Sequence, residues 1–555
     1  MASRTSIFLW SIFSTLWSIF STLCLVLCTL FGHRRRMHGE PALECGWIPY
    51  LGMALQFGAN PLEFLRKRHK RYGGIFTCRL AGKYVHFVTD PFSYGAVARR
   101  GRQLNWTKFA YEMSSKLFGH NNMDPEAGNT SENIHQTFHR TLQGDALDKL
   151  TASMFENLQD VIFEDGASQH VSPSEKNPNT AGLAWVEDDL YAFCYRVVFE
   201  ASYLSVFGHG HSRPRRSLVN SRLENFKTFD NLFPALAAGL PIDLFRAARK
   251  ARESLASELL HEQLRKRKHI SALISLRMEL NDTLSTLDDQ DKAKTHLALL
   301  WASQANTAPA TFWSLFYLLR HPEAYEAAKR EVESCFGLRV PRKFEKNHPL
   351  LSSNHQLANL PILESIIMEA MRLSSASMNV RVAKENIELE LDSGAAFRIR
   401  SGDVIALYPQ LLHYDPSIYP NPEAFQYDRF LDEDGKLRTV FEKNGRKLKY
   451  SYMPFGSGVT MCPGRFFAMN EMKQFLVLVL SFFEIALSEP EGQVPALDQS
   501  RIGLGILQPN NDVPFRYRLV SATYPTDSQQ SAAPHHATRG ACPHISSLRI
   551  PLPAN

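Results

Sequence analysis

Along most of the chain the apolar positions recur every three or four residues, the period of a helix with one buried face. Segments 54–74 and 220–280 show this spacing, with charges filling the other positions. Two pieces change rhythm. FTCRLAGKYVHFVTD (76–90) alternates on both sides of an Ala-Gly turn and predicts a hairpin, and AAFRIRSGDVIALYP (395–409) predicts two short strands about a Ser-Gly turn. LVLVLSFFEIAL (476–487) is almost wholly apolar and predicts a buried helix. The sum is mainly α with small β-sheets to one side, an α+β domain.

The longest helical pattern covers 283–324, TLSTLDDQDKAKTHLALLWASQANTAPATFWSLFYLLRHPEA. Asp288, Asp289 and Asp291 stand near its start, where the helix dipole favours negative charge. Its middle is irregular: Asn306 and Thr307 fall in apolar surroundings and Pro309 follows. A proline there has no N–H for the Ala305 carbonyl, so that turn opens. The freed carbonyl beside an amide and a hydroxyl predicts a water or oxygen site; the plainer alternative is a kinked core helix whose Thr307 bonds its own backbone. In LESIIMEAMRLSSASMNVRVA (363–383), Glu369 and Arg372 are three apart and share a helix face. Such pairs are common on surfaces, but the Ile, Met and Leu flanks predict burial, and a buried pair needs further partners. Arg429, in FQYDRF (425–430), is the candidate third member.

One stretch has no polar face at all. Residues 7–31, IFLWSIFSTLWSIFSTLCLVLCTLF, carry no charge and contain the seven-residue echo SIFSTLW SIFSTLC. As a helix they would span roughly 37 Å, against a hydrocarbon core of ~30 Å. Two repeats are too few for a coiled coil. The run is longer than a signal-peptide core, no A-x-A site follows, and Arg34, Arg35 and Arg36 come next. Residues 1–36 therefore read as a signal-anchor with the body on the cytosolic side, joined by the Pro- and Gly-rich GEPALECGWIPYLG. Residues 521–555 are poor in large apolar groups and read as a disordered tail; His535, His536, Cys542 and His544 in it could also be taken for a metal tract. The body is 37–520.

Composition changes this picture little. A net charge of +6 over 555 residues is too small to imply nucleic acid and suits a surface near anionic lipid. The eight cysteines are irregularly spaced with no CxxC pair, which argues against a disulfide framework or zinc ribbon. Sequons at Asn105, Asn129 and Asn281 are read as chance matches. One cysteine stands out. FGSGVTMCPG (455–464) crowds three glycines and a proline around Cys462. This is either an ordinary turn with a buried thiol or a loop holding a thiolate at a fixed distance from something electron-poor.

Taken in order, Glu369 to Arg372, then Arg429, then Phe455, Gly458, Cys462 and Gly464 about ninety residues after the E-x-x-R, the chain resembles a cytochrome P-450 from about residue 40 to 520. The resemblance implies haem b (iron protoporphyrin IX) with the Cys462 thiolate as axial ligand, Phe455, Gly458 and Gly464 shaping the loop under it, and Glu369, Arg372 and Arg429 as a structural triad. The stretches IPYLGMALQFGANPLEFL, LWASQANTAPATFWSLF, RLSSASMNVR and YMPFGSGVTMCPGR are similar to the sterol-hydroxylating branch that leads to bile acids. That branch implies hydroxylation of cholesterol, at its 7α position, or of a related sterol. It implies Asn306 and Thr307 as catalytic residues, and Trp301, Ala305, Asn306, Ser375, Ser377, Leu504 and Ile506 as the pocket wall. Two positions depart from the superfamily pattern. Asn306 stands where an acid is usual, and Thr460 where an Arg or His usually meets a haem propionate; Arg381 is the candidate to supply that contact.

Nothing in the chain resembles a flavin or nicotinamide site, so an NADPH-cytochrome P-450 reductase is the implied electron donor. Lys443, Arg446, Lys447 and Arg465 could dock it or could be a solvated basic face. NLFPALAAGLPIDLF (231–245) could dip into membrane lipid or be a core helix. The implied site is the endoplasmic reticulum membrane, single-pass. Two rivals stay open: a haem-thiolate isomerase of the prostacyclin-synthase kind, which also lacks the usual acid, and a membrane-anchored haem or sterol binder without turnover.

Overall fold

The computed structural model describes residues 17–23, 34–48, 50–105, 107–121, 130–169, 185–210, 216–336 and 351–520. The described residues form one compact unit. The tail from Ser521 lies outside the described residues, as do Asn129 and most of 7–31; 17–23 is helical, with Trp17, Ile19, Phe20 and Leu23 exposed. Among the described residues no helix is long and apolar enough to cross a membrane.

A six-stranded sheet forms one side. Its strands are β1 (Ala42–Glu44), β2 (Ile75–Leu80), β3 (Lys83–Val88), β4 (Leu104–Asn105), β6 (Asn379–Ala383) and β9 (Val404–Leu407), in the order β1-β2-β3-β9-β6-β4. The expected hairpin is β2–β3, antiparallel from Ile75 opposite Val88 to Leu80 opposite Lys83. The two strands expected at 395–409 exist but do not pair with each other. β8 (Ala396–Ile399) pairs with β7 (Ile387–Glu390), while β9 lies between β3 and β6. Arg34 reaches this sheet: its guanidinium meets both oxygens of Asp403 at 2.7 Å, and His86 approaches the same carboxylate at 2.9 Å. Arg36 donates to the Glu40 carbonyl at 2.9 and 2.7 Å. Two of the three arginines read as the cytosolic flank of the anchor are thus bonded into the body.

The helical side carries the largest core. α1 (Pro61–Tyr72) starts at Asn60, whose side chain caps Glu63 N. α2 (Gly144–Gln169), α3 (Leu190–Phe207) and α9 (Arg465–Phe482) pack together; α3 and α9 are buried nearly all round. The expected helical segment 220–280 is several helices, including α4 (Arg216–Asp230) and α5 (Phe233–Ala237), because Pro234, Gly239 and Pro241 interrupt it. Within 231–245, Phe233 and Leu236 are buried while Leu240 and Leu244 are exposed. The helix expected over 476–487 ends at Phe482, and Phe483–Leu487 is strand β10 beside β11 (Pro514–Leu519), which also pairs β5 (Val186–Asp189). Of the sequons, Asn281 is buried and bonded to Thr295 Oγ1 at 2.9 Å, which leaves no room for a glycan.

Candidate active site

The stretch expected to be one kinked helix is two: α6 (Asp289–Gln304) and α7 (Thr307–Arg320), with a turn at Ala305–Asn306. Asp288 caps α6 by accepting from Asp291 N. The break follows from Pro309, which has no N–H for the Ala305 carbonyl. Thr307 Oγ1 donates to Ser303 O at 3.0 Å, the self-satisfied arrangement weighed above. The Asn306 amide bonds to neither Thr307 nor its own helix. Its Oδ1 accepts from Ile506 N at 2.9 Å, and its Nδ2 has no partner among the described residues. The chain passes so close here that a Cβ on Gly505 (φ +135°) would lie 2.1 Å from Asn306 Oδ1.

The 503–507 loop is zipped to the segment after α8 (Pro361–Ser374). Ala376 N meets Gly505 O at 2.9 Å, Gly503 N meets Ala376 O at 2.8 Å, and Leu507 N meets Ser374 O at 2.9 Å. The structure thus brings Asn306, Ser375, Ser377, Leu504 and Ile506 into one neighbourhood. The Ser375 and Ser377 hydroxyls are buried without a hydrogen-bond partner. Ala305 is buried, and Trp301, half-buried, stacks on Phe233 with ring centroids 3.7 Å apart. A wall of apolar groups with a few unspent polar ones is the character of a small-molecule site.

Glu369 and Arg372, both fully buried on α8, form the predicted triad with Arg429. Glu369 Oε2 accepts from Arg372 Nε at 2.7 Å, and Oε1 accepts from Arg372 Nη2 and Arg429 Nε, each at 2.8 Å. The remaining guanidinium donors reach main-chain carbonyls: Arg372 those of His413 and Pro422, Arg429 those of Pro420, Asn421 and Ala424. The triad ties α8 to the 413–429 segment. Burial pulls the Arg372 guanidinium down, but Glu369 outweighs it and holds the group above its ordinary value. Burial pushes His413 down to about 3, so the imidazole is neutral, and its Nε2 accepts from Met453 N at 3.2 Å.

The Cys462 loop closes on itself through Cys462 N to Phe455 O at 2.8 Å. Gly456 (φ +78°) and Gly458 (φ +60°) turn the chain where a side chain is strained, and a Cβ on Gly458 would stand 3.0 Å from Ala98 O. Gly464 caps α9. Burial pushes the Cys462 thiol up, while the backbone N–H groups of Gly464 and Arg465 and the Arg465 charge favour the thiolate. Nearby, Arg381 is buried on β6 and donates to Ser457 O and to its own Val380 O, and burial lowers its guanidinium. No carboxylate pairs with it among the described residues. The Asn379 Nδ2 and Ser457 Oγ atoms are likewise buried and unpartnered. A sulfur held by N–H groups beside an uncompensated cation and idle donors fits haem, which Cys462 and Arg381 would hold. Thr460 supplies no cation; its hydroxyl donates to Ser457 O at 3.3 Å. Sequence reasoning missed Asn379, Ser457 and a buried carboxylate, Asp230. A clue to the last was the lone Arg501 before an apolar segment.

A family model described as Cytochrome P450 matches residues 41–515. Cholesterol 7-alpha-monooxygenase of Cricetulus griseus is 55% identical over 501 residues, 89% of this chain and 97% of that protein. The 7-alpha-hydroxycholest-4-en-3-one 12-alpha-hydroxylase of Oryctolagus cuniculus is 37% identical over 88% of this chain and 94% of its own length. Among solved structures, a retinoic-acid-bound cyanobacterial cytochrome P450 superposes with TM-score 0.64 at 19% identity, covering 87% of this chain and all of that one. The thiol loop, the buried triad and these matches agree, and the chain belongs to the cytochrome P450 family.

Proposed function

We propose that this enzyme hydroxylates cholesterol at the 7α position: a sterol C–H, O2, NADPH and H⁺ yield the C–OH, water and NADP⁺. The observation that carries this reading is the full-length likeness to a cholesterol 7-alpha-monooxygenase at 55% identity, against 37% for a 12α-hydroxylating relative. When bound, haem b ligated by Cys462 supplies oxygen activation, the thiolate favouring O–O cleavage. The chain's own residues do the rest. Arg381 and Asn379 would hold a propionate. The apolar wall excludes water and seats the sterol, with Ser375 and Ser377 offering hydroxyls to its polar groups. Asn306 Nδ2 and the freed Ala305 carbonyl would hold a water beside Thr307, whose hydroxyl donates to Ser303 O and can still accept from that water as protons move to the reacting centre.

Electrons come from NADPH-cytochrome P-450 reductase. Three of the four cations considered for docking it have contacts within the fold: Lys443 with Asp415 at 2.6 Å, Arg446 with Asp392 at 2.9 and 3.0 Å, and Arg465 with Cys462 O at 3.1 Å. Residues 1–36 anchor the body on the cytosolic face of the endoplasmic reticulum, a reading supported by the uncharged run 7–31 and the arginines after it. Incubation with reductase, NADPH and cholesterol, with products identified, tests the activity. The expected product is the 7α-hydroxysterol, formed with NADPH consumption. A 12α product, or peroxide rearrangement without NADPH use, overturns it.

A further inference from the structure

The last residue of α4, Asp230, is a carboxylate only 1% exposed. It sits at a helix C-terminus, where the dipole disfavours an anion. Four contacts hold it there. Trp301 Nε1, from α6, donates to Oδ1 at 2.8 Å. Arg501 donates to Oδ1 at 3.0 Å and to the Asp230 carbonyl at 3.1 Å. Gln508 Nε2 donates to Oδ2 at 3.0 Å. These donors belong to separate parts of the pocket. Trp301 lies one turn before Ala305 and stacks on Phe233 of α5 at an interplanar angle of 11°. Arg501 and Gln508 bracket the 503–507 loop, which is bonded to Asn306 and to the segment carrying Ser375 and Ser377.

We propose that Asp230 is a positioning residue that clamps α4–α5, Trp301 and the 503–507 loop into one unit, so that the side walls of the sterol pocket are set together. The inference rests on the sterol reading above for its substrate, but not for its geometry. A buried ion pair adds little net stability, because desolvation offsets most of the attraction. What this one adds is direction. A single carboxylate accepts from an indole N–H, a guanidinium and an amide, and each bond fixes one wall. Because the three bonds share one carboxylate, loss of any one lets the carboxylate shift and loosens all three walls together. A sterol is rigid, so a small rotation of Trp301 or a slide of the loop changes which carbon lies nearest the reacting centre.

The test uses haem-loaded full-length protein with reductase, normalised to the red-shifted Soret band of the ferrous carbon monoxide complex. Three variants are compared. Trp301→Phe keeps the ring on Phe233 and removes only the N–H. Gln508→Met removes the Oδ2 contact at similar volume. Asp230→Asn with Arg501→Gln removes both charges together, so that neither is left buried alone. The expected result is at least tenfold weaker cholesterol binding in Trp301→Phe and the paired variant, read from the sterol-induced spectral shift, a smaller loss in Gln508→Met, and hydroxylation at more than one carbon. Hydrogen exchange in 216–237 and 501–508 should rise in parallel in each variant. Cholesterol binding within twofold of wild type and a single product, with only a lower Tm, overturn the clamp. So does faster exchange confined to one of the two segments. If wild-type protein shows no cholesterol-induced shift, the substrate reading fails, and the exchange comparison still decides the clamp.

Discussion

Consider Glu369→Ala. Glu369 is fully buried and takes four donors: Arg372 through Nε and Nη2, Arg429 through Nε at 2.8 Å, and Gln426 N at 3.2 Å. Truncation leaves two guanidinium groups facing each other in a dry site with no counter-charge. Breaking a buried pair from one side costs about 3–5 kcal/mol. Here two cations lose one carboxylate, so the upper end applies. Against a total stability of about 5–15 kcal/mol, that lowers the folded-to-unfolded ratio by a factor on the order of 10³–10⁴. The loss is felt at the haem because Arg372 and Arg429 fasten 413–429, and Met453, just before the Cys462 loop, hangs on His413 Nε2. Glu369→Gln should be nearly as damaging: its amide can serve one guanidinium, but its own N–H groups meet the other donor. The assay is haem bound per protein, from the ferrous carbon monoxide spectrum, beside Tm. Haem content and Tm equal to wild type in Glu369→Ala would refute the reasoning, since they would mean that Arg372 and Arg429 are neutralised by other groups.

Cys462→Ala should abolish the red-shifted Soret band of the ferrous carbon monoxide complex and all monooxygenase turnover; an intact band would remove Cys462 from the iron. Asn306→Leu keeps the apolar fit but loses the bond to Ile506 N and the free Nδ2, so the ratio of hydroxysterol to NADPH consumed should fall severalfold, with peroxide released instead; unchanged coupling would reduce Asn306 to packing. Glu471, fully buried on α9 with Oε1 unpartnered, is pushed up to about 8 by burial, against an ordinary carboxylate value of 4.5. The folded form therefore stays protonated while the unfolded chain ionises, so its contribution is fully present below pH 4.5 and is lost as pH rises towards 8. At pH 7 that amounts to about 3 kcal/mol. Glu471→Gln should be more stable than wild type at pH 7.5, by denaturant midpoint, with the gap closing near pH 5; equal stability across the range would show that the group ionises freely.

Features written in neighbouring residues were legible from the sequence. The 76–90 alternation became β2–β3 with its turn at Ala81–Gly82, Asp288 capped α6, and the E-x-x-R spacing put Glu369 and Arg372 on one face. The glycine-crowded cysteine was legible because positive φ at Gly456 and Gly458 has a residue-type signature. What failed were boundaries and partners decided elsewhere in the chain. Phe483–Leu487 continues an apolar run that could extend α9, but it pairs with β11, about thirty residues on, so tertiary pairing overrode the local pattern. The break at Ala305–Asn306 was read as a kink because Pro309 announces an opened turn without saying how far it opens. Asp230 left almost no local trace: a lone acid at the end of an amphipathic helix is ordinary, and only the long-range bonds to Trp301, Arg501 and Gln508 make it a hub.

The departure at position 306 also takes on a physical meaning. The sequence showed an amide where an acid is usual, which left the proton supply in question. The structure shows that the position has a second task, accepting from Ile506 N across a gap so narrow that Gly505 has no room for a Cβ. An aspartate could accept the same hydrogen bond. Its other oxygen would then carry charge into the wall where Asn306 now presents a neutral N–H, at a cost of several kcal/mol, or would stay protonated. The amide keeps the acceptor for the loop and a donor for the pocket without that charge. Asn306 and Gly505 therefore act as one device: the glycine lets the loop come close, and the asparagine pins it there. A larger residue at 505 should thus resemble Asn306→Leu in coupling, because both detach the same loop from the same turn.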